Sequence, residues 1–126
     1  MASSLNILLV EDNPADAQYV NIQLEEVFGT GFKLEVREYF SKAMEVLKNA
    51  KFDVIILDLS LPDSNGLTQF KELLSVYKTP AIIYTGMDNE TVRSEAMNCG
   101  ACDYLIKDRT TPADLKRAVI KCVGQK

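Results

Sequence analysis

Side chains that could bind a cation or react with phosphorus stand directly after four short apolar runs of the chain. Glu11 and Asp12 follow the first run, Asp58 follows a later one, and Thr85 and Lys107 follow two more. Each has a simpler explanation alone, because acids and hydroxyls cap helices or form turns and a lysine is usually a solvated charge. Brought together, three carboxylates would repel one another unless a cation neutralised them. An all-oxygen site with few protein ligands suits Mg²⁺.

A carboxylate beside such a cation can act as a nucleophile toward phosphorus, because the cation neutralises charge that develops on the phosphoryl oxygens. Ammonium and hydroxyl groups can hold the remaining oxygens, and Lys107 and Thr85 supply these groups. Asp58 would lie at the centre of the arrangement and is therefore the predicted nucleophile. Glu11 and Asp12 are then the predicted metal ligands.

The apolar runs indicate five strands. Four runs are continuous, which is typical of parallel strands covered on both faces. The second alternates with Lys33, Glu35 and Arg37 and suits a partly exposed edge of a sheet. The runs span residues 7–10, 32–36, 54–57, 81–84 and 104–106.

Segments with helical spacing of apolar residues lie between and after the strands, in residues 17–27, 40–47, 67–77, 92–99 and 115–122. The first and last begin with the same start signal, Asn13-Pro14 and Thr111-Pro112. Each signal puts a capping side chain before a proline at the first helical position, with an acid such as Asp16 at the third. These two helix starts are therefore well defined by the sequence.

Strict alternation of strands and helices predicts a parallel sheet with right-handed crossovers and helices on both faces. The predicted fold class is a doubly wound α/β domain with a five-stranded parallel sheet. The flavodoxin-like strand order 2-1-3-4-5 puts the second strand at an edge and the first beside the third. Ligands of such sheets bind beyond the carboxyl ends of those two strands, where the acids would lie.

Length, composition and charge exclude several classes of protein. The chain has 126 residues, 47% of them hydrophobic, and we expect a single domain over residues 1–126, with its core at about 5–123 and no second domain. The net charge of −4 argues against direct nucleic-acid binding. Apolar runs of only about five residues, without a signal peptide, predict a cytoplasmic protein with no membrane contact.

Histidine and cysteine usage narrows the chemistry. The chain has no histidine, which excludes Ser-His-Asp and Cys-His catalysis, histidine-ligated zinc and a phosphohistidine carrier. Cys99 and Cys102 form a lone C-x-x-C without the further ligands of a metal site. We expect the three cysteines to be reduced and mostly packed in the interior.

From about Leu5 to Val123, the sequence resembles the response-regulator receiver domain of two-component signalling. Receivers carry an acidic pair after the first strand, a phosphoacceptor aspartate after the third, a hydroxyl residue and a small residue after the fourth, and a lysine after the fifth, preceded by an aromatic residue. The matching residues are Glu11-Asp12, Asp58-Leu59-Ser60-Leu61-Pro62 with Gly66 beyond, Thr85-Gly86, Tyr104 and Lys107.

The resemblance implies that Glu11, Asp12, Asp58 and the backbone carbonyl of Ser60 bind Mg²⁺. It also implies that Asp58 takes a phosphoryl group from the phosphohistidine of a sensor histidine kinase or a phosphotransfer protein. The implied role is that of a signalling phosphoacceptor rather than an enzyme, although the domain catalyses its own phosphorylation and dephosphorylation.

A switch between two states is implied for Thr85 and Tyr104. The Thr85 hydroxyl would move toward the phosphoryl group, and the Tyr104 ring would enter the space it leaves. The surface of the fourth helix, fifth strand and fifth helix would then change and be read by a downstream protein or a fused output domain. Tyr104 also has a structural explanation as a core aromatic residue at a sheet edge, and the two roles are compatible in different states.

Two positions depart from the family pattern or vary within it. Lys107 is followed by Asp108, where many receivers have a proline in a cis peptide bond. A non-proline cis bond costs about 3 kcal/mol, so we expect a trans bond and a different loop path. Met87, two residues after Thr85, cannot orient an attacking water as an acid or amide could.

Three other functions fit parts of the pattern. Aspartate-nucleophile phosphatases carry an Asp-x-Asp motif, in which the second acid protonates the leaving group. This chain has Ser60 at the position of that second acid. A flavodoxin-like cofactor binder would carry hydroxyls and glycines after the first strand, where Glu11 and Asp12 would repel phosphate. A receiver-like interaction module that is not phosphorylated is the remaining alternative, and loss of Asp58 or Lys107 would have favoured it.

Overall fold

The computed structural model describes residues 4–63 and 66–124. The predicted domain limits, residues 1 and 126, lie outside the described residues. Strands and helices alternate along the chain as β1 (Leu5–Val10), α1 (Pro14–Phe28), β2 (Phe32–Arg37), α2 (Phe40–Asn49), β3 (Val54–Leu57), α3 (Leu67–Val76), β4 (Ala81–Thr85), α4 (Glu90–Cys99), β5 (Asp103–Ile106) and α5 (Pro112–Val123). None of the helices in this described part has the length and apolar character that a membrane span requires.

The strands form one parallel sheet in the order β2-β1-β3-β4-β5. The predicted fold class, strand order and edge position of β2 are confirmed. Every residue of β3 and β4 is buried, whereas β2 has exposed and half-buried residues. Three of the four continuous runs, β1, β3 and β4, are therefore central strands with helices on both faces, whereas the fourth, β5, forms the other edge of the sheet and is only partly buried.

Alternating side chains on the strands build two cores, one on each face of the sheet. On β1, Leu8 and Val10 face the core formed with α2, α3 and α4, while Ile7 and Leu9 face the core formed with α1 and α5. A slip of one residue in register would exchange these faces. Burial on both faces therefore fixes where each strand ends, and with it the position of the residue that follows.

The two predicted helix starts are confirmed. Asn13 Oδ1 accepts hydrogen bonds from the amides of Ala15 and Asp16, at 2.9 and 3.3 Å. At the start of α5, Thr111 Oγ1 accepts from the amide of Asp114 at 3.1 Å, and the Thr111 amide donates to Asp114 Oδ2 at 3.0 Å. These contacts satisfy amides that the helices themselves leave unpaired.

Helix α2 is capped from a distant part of the chain. Its N-cap residue, Tyr39, makes no side-chain cap, and the Asp63 carboxylate accepts from the amides of Phe40 at 2.7 Å and Ser41 at 3.0 Å instead. Although burial acts to raise the pKa of Asp63, these hydrogen bonds outweigh it and lower the pKa below its usual value. Because Asp63 lies in the loop after β3, the cap ties α2 to the loop that begins at Asp58.

A disulfide joins Cys102, just before β5, to Cys122 in the last turn of α5, with 5.8 Å between the Cα atoms. Cys99 is free and half-buried. The expectation of three reduced thiols is therefore wrong. Cys102 and Cys122 share the core beneath α1 and α5, whereas Cys99 packs against the other core. The spacing of the C-x-x-C could not reveal that the partner of Cys102 lies on the last helix.

Loss of the disulfide should lower the stability of the fold. Cys122→Ala should reduce the free energy of unfolding by about 3 kcal/mol, because the loop between the two cysteines is no longer closed in the unfolded chain. Denaturant unfolding with and without dithiothreitol measures this effect. The reductant should destabilise the native chain and Cys99→Ala equally and leave Cys122→Ala unchanged. Equal midpoints for the native chain in both conditions would contradict the assignment.

Candidate metal centre at the carboxyl edge of the sheet

Strand pairing brings the predicted site residues to one edge of the sheet. Val10 and Leu57 are partners in the β1–β3 register, so the residues after them, Glu11 and Asp58, lie side by side. The Asp58 amide donates to the Val10 carbonyl at 3.1 Å, and the Lys107 amide donates to the carbonyl of the last residue of β4 at 2.9 Å. The backbone ladder therefore continues one residue beyond the strands and holds the site residues in place.

The amine of Lys107 stands among three carboxylates. Its Nζ lies 2.7 Å from Glu11 Oε1, 2.9 Å from Asp16 Oδ2 and 2.9 Å from Asp58 Oδ2. Burial alone would lower the pKa of Lys107, but the contacts with Glu11, Asp58 and Asp16 outweigh it and raise the pKa above its usual value. The lysine is therefore held as a cation at the centre of the acidic group.

Glu11, Asp12 and Asp58 form the acidic cluster that the sequence predicts. One oxygen of each lies within 4.8 Å of the others. Glu11 is 1% and Asp58 3% exposed, while Asp12 is exposed. Burial raises the pKa of Glu11 to about 7, and the charge of Asp58 adds to the shift, against the opposing contacts with Lys107 and the Asn13 amide. Two buried acids with one exposed acid at the opening fit a cation that keeps several waters, as Mg²⁺ does.

Both oxygens of Asp58 have a partner. Oδ1 accepts a hydrogen bond from the amide of Ser60 at 3.0 Å, and Oδ2 contacts the amine of Lys107. Ser60 therefore contacts Asp58 through its backbone amide. The role of the Ser60 carbonyl as a metal ligand stays a prediction. Because the carboxylate is held from two sides, its orientation is set before any ligand binds.

Thr85 and Tyr104 both contact the loop between β4 and α4. Thr85 is fully buried, and its Oγ1 accepts from the Met87 amide at 3.4 Å. The Tyr104 ring is 3% exposed, its hydroxyl donates to the Met87 carbonyl at 2.7 Å, and the guanidinium of Arg93 lies 5.9 Å from the ring centre. Tyr104 is therefore a core aromatic residue in this state, and its switching role stays a prediction.

The loop after Lys107 has no cis peptide bond, as expected from the absence of proline. Its path is held by side chains instead: Gln23 Nε2 of α1 donates to the Thr110 carbonyl at 3.0 Å, and Thr110 Oγ1 donates to the Ile106 carbonyl at 2.7 Å. Arg109 also forms an ion pair with Asp88 of the β4–α4 loop at 2.6 Å. These contacts position the segment that carries the lysine.

The sequence analysis missed the roles of Asp16 and Gln23. The acid at position 16 had a sufficient local explanation as a helix-start residue, and its contact with Lys107 spans 91 residues of sequence. The only available signal was its position in the first turn of α1, which begins at the same sheet edge as Glu11. The sequence signal for Gln23 is its position three residues after Val20, on the apolar stripe of α1, and the structure buries it to 2% exposure.

Comparisons of the sequence and the fold with known proteins point to the same family. The sequence profile of the response regulator receiver domain matches residues 7–120. The KDP operon transcriptional regulatory protein KdpE of Escherichia coli, strain K12, is 32% identical over 102 residues, which are 81% of this chain and 44% of that protein. The chain thus spans less than half the length of the curated relatives it matches.

Two solved structures superpose closely on the chain. The BeF3-activated N-terminal receiver domain of Klebsiella pneumoniae RstA has a TM-score of 0.83 at 26% identity, covering 94% of this chain and 97% of that one. The receiver domain of the sensor histidine kinase PA1611 from Pseudomonas aeruginosa PAO1, which has a magnesium ion coordinated in its active site cleft, has a TM-score of 0.81 at 25% identity, covering 97% and 99%.

Magnesium should stabilise the protein through the acidic cluster. At ten times its dissociation constant, Mg²⁺ should raise the free energy of unfolding by about 1.4 kcal/mol. Asp12→Ala should weaken this effect and, without metal, should be as stable as the native chain or more so, because a repelling charge is removed. Thermal unfolding during a MgCl₂ titration measures both. Glu72→Ala, which removes an exposed acid of α3, is the control and should keep the full response; a native chain that does not respond to Mg²⁺ would contradict the assignment.

Proposed function

The chain belongs to the response regulator receiver family, and on this premise we propose that it is a phosphoacceptor switch. Asp58 takes a phosphoryl group from the phosphohistidine of a sensor histidine kinase or a phosphotransfer protein. The observation that supports the proposal best is the buried Asp58 carboxylate, with one oxygen on the Lys107 amine and close to the oxygens of Glu11 and Asp12.

Phosphoryl transfer to Asp58 is a displacement at phosphorus. A carboxylate oxygen of Asp58 forms the new bond to phosphorus while the bond to the histidine nitrogen of the donor breaks, and the histidine keeps the electron pair. Mg²⁺ held by Glu11, Asp12, Asp58 and the Ser60 carbonyl would supply charge neutralisation on the phosphoryl oxygens. The Lys107 ammonium would contact the same phosphoryl oxygens. Thr85 lies on β4 opposite Ile106, the residue before Lys107, so its hydroxyl is on the neighbouring strand.

The contacts of Lys107 suggest how the site responds. Its amine now contacts three carboxylates, and after transfer a phosphoryl oxygen would replace the Asp58 oxygen as its partner. The domain would also catalyse loss of the phosphoryl group, with water as the attacking nucleophile. Met87 offers no acid or amide to orient that water, so its side chain does not assist this step.

The proposed output lies on the α4-β5-α5 surface. The hydrogen bond from the Tyr104 hydroxyl to the Met87 carbonyl supports this, because the same loop residue donates to Thr85. Movement of Thr85 toward a phosphoryl group would shift the loop and free Tyr104 to change its packing. A downstream protein or a fused output domain would read the change.

We further propose that residues 1–126 form one receiver domain. The two cores share a single sheet, which supports this proposal. The negative net charge supports the absence of direct nucleic-acid contacts, so that any DNA binding would belong to an output partner. A cytoplasmic location stays a prediction.

Phosphorylation by a small donor tests the proposed chemistry. Acetyl phosphate with Mg²⁺ should give one phosphoryl adduct by intact-mass spectrometry, because nucleophile, metal ligands and lysine all lie on this chain. Asp58→Asn should abolish the adduct, and Asp108→Asn, a matched change at an exposed aspartate, should keep it. Absence of any adduct in the native chain would favour an interaction module that is not phosphorylated, and an adduct in Asp58→Asn would place the acceptor elsewhere.

Amide hydrogen exchange with a beryllofluoride phosphoryl mimic tests the output surface. Exchange should change in the β4–α4 loop, α4 and the β5–α5 region, since exchange reports local opening. Asp58→Asn with the same reagent is the control and should show no change. Changes confined to α1, β2 and α2 would contradict the proposed route through Thr85 and Tyr104.

A further inference from the structure

A groove of about 990 Å³ opens at the amino edge of the sheet, opposite the edge that carries Asp58. We call it the amino-edge groove. It is lined by Asn6, by residues 47–53 at the end of α2 and the loop that follows, and by residues 77–80 between α3 and β4. Strand β3 separates Asp53 in the groove from Asp58, which puts the two roughly 16 Å apart at strand spacing. The groove is therefore distinct from the metal and phosphoryl site.

The floor of the amino-edge groove is apolar and belongs to the folded core. Leu47 and Phe52 are each 7% exposed and pack in the core beneath α2, α3 and α4, and the ring of Tyr77 packs against the same core. Pro80 completes the floor at the start of β4. Because these residues are fixed by the core, the depression exists before any partner binds.

Unpaired lysines flank this floor. Lys48 and Lys51 stand on one side and Lys78 on the other; all are exposed, and none forms an ion pair within the described residues. Lys48 lies in the last turn of α2, where it complements the helix dipole. Lys51 and Lys78 each come directly after a helix C-cap, Ala50 of α2 and Tyr77 of α3, so the positive charges gather where these two helices end.

The charge of the groove is opposite to that of the protein as a whole. Among the described residues that line it, Asp53 is the one acid, and its Oδ2 accepts a hydrogen bond from the Asn6 amide at 2.8 Å. The chain carries a net charge of −4, so an acidic partner is repelled by most of the surface and attracted here. Charge complementarity therefore favours the amino-edge groove as the binding site and an acidic protein as the partner.

We propose that the amino-edge groove binds an acidic segment of a partner protein. An apolar side chain of the segment rests on Phe52 and Tyr77, and its carboxylates face Lys48 and Lys51 on one side and Lys78 on the other. Lysines on both sides suit a segment that crosses the floor, since such a segment meets both groups of charges. This binding is independent of the phosphorylation proposed for Asp58.

Binding of a designed peptide, acetyl-Glu-Asp-Phe-Leu-Asp-Glu-amide, tests the proposal by amide chemical-shift mapping in NMR. The shifts should change at residues 47–53 and 77–79. The double variant Lys51→Gln/Lys78→Gln should weaken binding about fivefold, the loss expected for two solvent-screened ion pairs. The matched control Lys71→Gln/Lys116→Gln removes the same charge from exposed lysines of α3 and α5 and should keep the native affinity.

Changes in the peptide separate the two parts of the recognition. Replacing its acids by Gln and Asn, or its Phe-Leu by Ser-Ser, should each reduce the shift changes, without any risk to the fold of the protein. No shift changes at these residues up to about 2 mM peptide, or equal losses in the two double variants, would overturn the proposal. The proposal would also be overturned if ATP changed the amide shifts at these residues and the peptide did not, because the groove would then be a small-molecule site. Asp58→Asn should bind the peptide normally, so failure of the phosphorylation experiment leaves this result readable.

Discussion

The arrangement of the carboxyl edge depends on a single amine surrounded by acids. Lys107 contacts Glu11, Asp16 and Asp58, and Asp12 stands nearby. One ammonium cannot neutralise four carboxylates, and two of these carboxylates are almost completely buried. Burial is the largest cause of the raised pKa of Glu11, and the neighbouring charge of Asp58 adds to it. This excess of negative charge is compatible with a divalent cation at the site.

The loops around this site are tied to one another as well as to the sheet. Arg109 of the β5–α5 loop pairs with Asp88 of the β4–α4 loop, and Tyr104 on β5 donates a hydrogen bond from its hydroxyl to the Met87 carbonyl in the β4–α4 loop. The Met87 amide in turn donates to Thr85. Movement of the β4–α4 loop would therefore disturb contacts both with β5 and with the loop that follows it.

The parts of the fold that could be predicted from the sequence are those with a local signal. Buried strands appear as continuous apolar runs, the alternating pattern of β2 marks an edge, and Asn13 and Thr111 mark helix starts because their side chains cap amides only a few residues away. The site followed from these, since parallel strands bring their carboxyl ends together. The relatives and the superposed receiver structures confirm the family, and the individual roles of the site residues stay predictions.

Apart from the disulfide, the features that the sequence did not predict are polar contacts between distant residues. Asp16 and Lys107 are 91 residues apart, Gln23 and Thr110 are 87 apart, and Asp63 caps a helix that begins 23 residues earlier. Such contacts have no periodicity, and acids such as Asp16 have an adequate local explanation without them. Only the packed fold shows which partner each side chain meets.

The disulfide closes the segment from Cys102 to Cys122 into a covalent ring. Residues 102–122 form this ring, which contains Tyr104 and Lys107 together with the loop that leads to α5. A protease that cuts this loop once would open the ring without releasing a fragment, so α5 would stay attached to β5 through sulfur. The segment that bears the lysine is therefore protected against loss in a way that no other loop of the described fold shares.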